Sequence, residues 1–202
     1  MIFKYFDKPE IFIGLRDKET HCDLCDQPKL CFDAGAFLGE DEIASICPEC
    51  LATGRLYELD CYTCQGDVTE LKRQLRERHP SLTKAEVDDL ADQKTLELEK
   101  TTPPLVTWQD WEWPSVDGDY GRFIGYGSRP FYTQLAGDID AKSLFEKSIY
   151  YAQADDTDAD EWWQDMPRKT VNDYKASSDY STLFYVFKSL HSDQIVTIWD
   201  TE

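Results

Sequence analysis

The 202-residue chain sets 40 acidic residues against 21 Lys and Arg, a formal net charge of −19. A field of that sign repels phosphate backbones, which argues against direct nucleic-acid binding and favours a basic protein partner. Hydrophobic residues at 41% and aromatics at 13% suffice for one or two folded domains and argue against a disordered chain.

The N-terminus, MIFKYFDKPEIFIGLRD, has charges between its apolar residues and no cleavage site after them, unlike a signal peptide. No stretch approaches the roughly 20 apolar residues of a membrane helix. A cytoplasmic, soluble protein is therefore expected. Phe3, Tyr5 and Phe6, then Ile11, Phe12 and Ile13, suggest one short strand.

All seven cysteines fall between residues 21 and 66. In a reducing compartment they read as metal ligands or free thiols rather than disulfides. Six form Cys-x-x-Cys pairs: Cys22 with Cys25, Cys47 with Cys50, and Cys61 with Cys64. Each such turn aims two thiolates at one point, and two of them supply the tetrahedral sulfur set that zinc favours. We expect Cys22, Cys25, Cys47 and Cys50 to share one zinc ion. Cys61 and Cys64 are alternative ligands, as a substitute knuckle or a second site, and Cys31 reads as a small core residue. Four cysteine ligands leave no open position for substrate, so the expected metal role is structural.

Residues 67–100 show helical spacing. Val68, Leu71 and Leu75 form one helix, which ends at His79-Pro80. Ser81 or Thr83 caps the second, and Thr83 with Glu86 fits a capping box. Val87, Leu90, Leu96 and Leu98 are its candidate inward positions.

Residues 105–137 mix bulky aromatics with glycine and read as strands and turns. A short helix capped by Asp140 is expected over residues 138–152, with Leu144, Phe145 and Ile149 inward. Residues 153–167 form an acidic tract of Asp155, Asp156, Asp158, Asp160, Glu161 and Asp165 around Trp162 and Trp163. Carboxylates around aromatic anchors suit a basic protein partner. The alternation there of Asp156, Asp158 and Asp160 lacks the glycine and terminal glutamate of a calcium loop. Residues 180–199 read as two strands joined by the turn Ser189-Leu190-His191-Ser192-Asp193. The expected fold class is α+β: a cysteine-rich zinc unit (1–66) packed on a mixed or antiparallel sheet, a helical segment (67–104), and an aromatic-rich α+β domain (105–202).

Several stretches share an order with a known family. They are Cys22-x-x-Cys25 followed by Ile46-Cys47-Pro48-Glu49-Cys50-Leu51-Ala52-Thr53-Gly54, then Thr101-Thr102-Pro103 with Trp108-Gln109-Asp110-Trp111-Glu112-Trp113. Phe123-Ile124-Gly125-Tyr126-Gly127 and the C-terminal hairpin to Trp199-Asp200 complete the set. In these the chain resembles the CbrC family of bacterial proteins, associated with colicin tolerance. Ser189 and Ser192 stand where that family often has cysteines, Glu49 replaces an aromatic, and Cys61 and Cys64 fall outside its pattern. The resemblance implies a zinc-containing intracellular protein connected with protection against toxins, and it supplies no active site.

No nucleophile elbow, phosphate loop or zinc-protease motif occurs. The expectation is a non-enzymatic immunity or tolerance protein that neutralises a basic toxin domain, such as a nuclease. The alternatives are an enzyme with a pocket at 105–137, lined by Trp108, Trp111 and Tyr126, and a zinc-stabilised adaptor for a partner other than a toxin.

Overall fold

The computed structural model describes residues 2–154, 158–177 and 179–201. The expected N-terminal strand is instead a short helix, α1 (Pro9–Phe12), with only an isolated bridge at Phe6. Pro9 at the first helical position presets the backbone for a turn of helix and cannot donate to a ladder.

The cysteine-rich segment folds as two-residue ladders. β1 (Thr20–His21) pairs with β2 (Pro28–Lys29), β3 (Phe32–Asp33) with β5 (Ser45–Ile46), and β4 (Leu38–Gly39) with β6 (Cys61–Tyr62). Helix α2 (Pro48–Ala52) and a 3-10 turn (Arg55–Glu58) lie between β5 and β6. Helices α3 (Val68–Arg78) and α4 (Lys84–Thr101) then pack on each other, as their spacing predicts. Thr83 forms the full capping box with Glu86. Val87, Ala91 and Leu98 are the buried apolar positions of α4, whereas Leu96 is exposed. The cysteine-rich unit sets α2, the 3-10 turn and β6 against α4.

Beyond α4, β7 (Ser115–Val116) and β8 (Asp119–Tyr120) form a tight pair, and β9 (Arg122–Tyr126) follows. Strands and turns do not fill the rest of this stretch, because α5 (Arg129–Ala136) intervenes. Ser128 caps α5 through the Phe131 N–H, and Pro130 sits in its first turn. α6 (Ala141–Ser148) begins at Asp140 as expected, with Phe145 fully buried. α7 (Ala159–Asp165) occupies part of the acidic tract.

The C-terminal hairpin is β10 (Thr182–Lys188) and β11 (Ile195–Thr201), joined to β9 in the antiparallel order β11-β10-β9. β10 is central, and both its faces are covered. Leu183, Tyr185 and Phe187 enter the larger core, while Phe184 and Val186 enter a second core. The larger core takes side chains from all three sequence segments, from Phe3 to Ile198.

A buried carboxylate ties four of these pieces together. Asp119 accepts from the Tyr5 hydroxyl at 3.0 Å, the Lys94 ammonium at 2.5 Å and the Tyr120 N–H at 2.9 Å. His191 Nε2 lies 3.5 Å away. Burial pushes the Asp119 carboxyl upward, but the Lys94 hydrogen bond and charge, reinforced by Lys4, outweigh it and hold the pKa below the ordinary range. A carboxyl so depressed contributes stability in full above its unfolded pKa of about 4. That stability is lost as pH falls through the folded value. Asp119→Ala strands the Lys94 ammonium, leaves the Tyr5 hydroxyl only its longer bond to Glu97, and is expected to cost about 3 kcal/mol in urea unfolding at neutral pH. The difference from the parent protein should shrink as pH is lowered below about 4. A pH-independent difference would mean that lost packing, not charge, is the cause.

Candidate metal centre

Cys22 and Cys25 lie on a turn closed by the Asp26 N–H bonding to the Cys22 carbonyl at 2.8 Å. Asp26 takes a left-handed backbone there (φ 52°), a conformation that Asp tolerates better than most residues. Cys47 is the N-cap of α2 and Pro48 its first residue, so the helix starts where the second knuckle needs its backbone N–H groups. The Cys50 N–H points at Cys47 Sγ at 3.4 Å, and the Cys47 N–H at Cys22 Sγ at 3.3 Å.

The 21 residues between Cys25 and Cys47 are brought back by the β3–β5 pair, with Phe32 opposite Ile46. Asp23 then fastens one knuckle to the other. Its carboxylate accepts the Ala44 and Ser45 N–H groups at 2.6 and 3.0 Å, and its own N–H donates to the Ser45 carbonyl at 3.0 Å. Arg55 donates to the Leu24 carbonyl at 3.3 Å from the turn after α2. Sequence reasoning had assigned neither Asp23 nor Arg55 a role. The only signal was Asp23's position inside the first knuckle.

The result is a cluster in which the sulfurs of Cys22, Cys25, Cys47 and Cys50 lie within 4.8 Å of one another. A tetrahedral ion with sulfur at about 2.3 Å has sulfur–sulfur edges of about 3.8 Å, so a small inward movement completes a coordination shell. Cys22, Cys47 and Cys50 are buried, which keeps competing water away. These four cysteines can hold a metal ion. Burial raises the Cys22 thiol, but the backbone N–H groups of Cys47, Leu24 and Cys25 outweigh it and bring the pKa down to about 7. Cys50 is pushed up by burial and by the neighbouring sulfurs. A metal ion would relieve that crowding by taking the sulfurs as thiolates.

The other cysteines lie outside this cluster among the described residues. Cys31 is fully buried, its thiol raised to about 11 by burial and the sulfurs nearby. Cys61 is buried in β6 opposite Gly39, and Cys64 lines a separate cleft. His21 is exposed and its ring nitrogen faces Asp26 at 3.1 Å. At the C-terminal turn, the Ser189 and Ser192 hydroxyls both donate to Asp117, at 2.7 and 2.5 Å.

The acidic tract is largely engaged in its own fold. Trp162 stacks on Trp199 at 4.6 Å, and Trp163 packs against Tyr132 and Phe145. Both indoles join the second core and are half-buried rather than presented as free anchors. Asp158 caps α7, and Asp160 pairs with Lys142. Glu161 and Asp165 remain exposed, while Asp155 and Asp156 lie outside the described residues.

A different set of acids is held in place by backbone. The Glu40 and Asp41 N–H groups both donate to the Asp60 carbonyl, at 2.8 and 2.9 Å. The Asp41 carboxylate accepts the Asp60 N–H at 2.6 Å. Glu40, Asp41, Glu42 and Asp60 are exposed, and among the described residues no cation pairs with any of them. Gly39 makes this approach possible: at φ +119°, any Cβ would lie 2.2 Å from the Asp60 carbonyl oxygen. Lys100 anchors the ridge from beneath, donating to the Leu59 and Cys61 carbonyls at 2.7 Å each.

Among the described residues, no helix is long and apolar enough to cross a membrane. The model of an uncharacterised protein family, UPF0167, matches residues 1–201. No solved structure matches the chain.

Elemental analysis of freshly purified protein should find one metal ion per chain. Cys47→Ser should lose it together with much of the protein's thermal stability, and Cys61→Ser should keep it. Loss of metal from both variants would require the third pair to take part in the site.

Proposed function

The chain belongs to the uncharacterised family UPF0167, and from that premise we propose that it is a zinc-ordered binding protein. Its partner is a basic protein, and by the resemblance to CbrC this is a toxin domain that the cell must tolerate. Zinc is the proposed ion because four cysteine sulfurs within 4.8 Å of one another, a small movement from a tetrahedral shell, match its preferred structural site. Such a site orders its loops and has no vacancy for substrate, which favours binding over catalysis.

The observation that carries the reading is the ridge of Glu40, Asp41, Glu42 and Asp60: all four are exposed and without a cation partner among the described residues, and Glu40, Asp41 and Asp60 are tied together through the backbone. The Asp41 carboxylate is already held in position, so it meets a basic surface without the entropy cost of ordering a flexible side chain. The net charge of −19 adds a long-range attraction that speeds encounter. Glu161 and Asp165 are the carboxylates of the α7 tract left free to add to that field.

The test is association kinetics with purified basic nuclease toxin domains. The association rate should fall steeply with added salt. The double variant Glu40→Lys/Glu42→Lys should slow association about tenfold or more, with little change in unfolding temperature. Asp41 is left in place in that variant because its carboxylate is structural. Glu161→Lys/Asp165→Lys measures the α7 contribution separately. Unchanged rates in both would remove the acidic surface from the interface, and no complex with any toxin domain would remove the toxin reading.

A further inference from the structure

Among the clefts on the described surface, two stand out by the chemistry of their walls. One, of about 370 Å³, is bordered by α3, α6 and β11. Its charged side chains largely satisfy each other, Arg73 with Glu70 and Glu77, and Arg78 with Asp117. The other, of about 430 Å³, lies between the β4 end of the cysteine-rich unit and the segment after α4. Its walls are different in kind. Leu38, Leu105, Val106 and Trp111 supply apolar surface, and Leu38 and Val106 are 45% and 53% exposed with nothing covering them.

We propose that this second cleft binds a small organic cation, an amine carrying an apolar body the size of one ring. The volume lies in the range of small-molecule sites, and the mixture of apolar wall and few polar groups is typical of them. The charge of the lining selects the sign of the ligand. Asp33 and Asp110 are its charged residues, and no Lys, Arg or His lines the cleft. Asp33 is committed to the Gly35 N–H at 3.0 Å and to Arg16 at 3.3 Å. Asp110 is exposed and has no partner among the described residues, so one negative charge is left for a ligand to meet.

The aromatic wall is fixed before any ligand arrives. Trp111 leans on Tyr185 and Phe187 at 5.2 and 5.9 Å, and Trp113 is locked by its indole N–H bonding to the Gly121 carbonyl at 2.8 Å. An indole face attracts a cation through its quadrupole and offers a flat surface to a ring. Cys64, which also lines the cleft, stays a neutral thiol, since burial raises its pKa to about 12. It neither repels an apolar body nor competes as an anion. This site shares no residue with the sulfur cluster or the acidic ridge, so it stands independently of the proposed protein partner.

Of the three aromatics expected to line a pocket at 105–137, only Trp111 borders this cleft. Its indole N–H is buried without an acceptor, which makes it a well-isolated reporter.

The experiment is a titration of ¹⁵N-labelled full-length protein with phenylethylammonium, following the tryptophan indole resonances. 3-Phenylpropionate serves as the counterpart of opposite charge. The Trp111 resonance should shift saturably at millimolar amine, and the carboxylate should bind more weakly by several-fold. Asp110→Asn should weaken amine binding about three- to fivefold, the range of one exposed ion pair. Asp89→Asn, exposed on α4 and outside the lining of the cleft, should not. An unmoved Trp111 resonance, equal binding of both ligands, or an unaltered affinity in Asp110→Asn would each overturn the proposal.

Discussion

Four cysteine sulfurs within 4.8 Å of one another form the constraint on which the N-terminal third depends. The ladders around them are two residues long, and isolated pairs of that length do not persist in water. What fixes them is the meeting of the two knuckles, with Asp23 bonded across to Ala44 and Ser45. That meeting positions Ile46, which pairs with Phe32, and the Phe32 ring packs edge-on against Phe3 at 6.3 Å. Two and four residues further along, the chain bonds to β9 through the Tyr5 carbonyl and the Asp7 N–H, both to Phe123. Order at the sulfur cluster is thus handed to the main sheet through a few aromatic and backbone contacts.

The other joints are buried polar groups used at several places at once. Asp67 caps α3 and accepts both the Tyr150 and Tyr151 hydroxyls at 2.8 Å, joining the helical segment to the chain after α6. Asp200 accepts the Trp108 N–H and the Tyr185 hydroxyl, closing the C-terminal strand on the segment after α4. Removing one partner of such a group costs more than the bond itself, because the rest stays buried without a partner. The three sequence segments are consequently bound through shared carboxylates as well as through a shared apolar core.

These joints were the part least legible in the sequence, since a single Asp among so many carries no periodic signal. Local features read well. The Cys-x-x-Cys pairs, the Thr83–Glu86 box, the Asp140 cap and the C-terminal hairpin each declare themselves within a few residues. Errors arose where tertiary packing decides. Trp162 and Trp163 looked like surface anchors because their neighbours are acidic, but α7 turns one side toward Phe145, Phe184 and Trp199. The helix α5 was read as strand and turn from its aromatics, although Ser128 and Pro130 carried a start signal. Leu96 looked like a core position, yet the buried stripe runs through Val87, Ala91 and Leu98.

The distribution of negative charge separates two roles that composition alone merges. Many carboxylates are consumed by the fold, as helix caps at Asp67, Asp140 and Asp158 or as ion-pair partners at Asp119 and Asp117. Solubility requires only that the rest be dispersed, because dispersed like charges minimise their own repulsion. Glu40, Asp41, Glu42 and Asp60 are not dispersed. A glycine with positive φ and two backbone bonds to one carbonyl hold Glu40 and Asp41 against Asp60, a buried lysine grips the chain on either side of Asp60, and Glu42 follows in sequence. Holding like charges together opposes folding, a cost that the Lys100 ammonium offsets in part and that a cationic surface would relieve further. The proposal of a basic partner rests on this arrangement more than on the net charge itself.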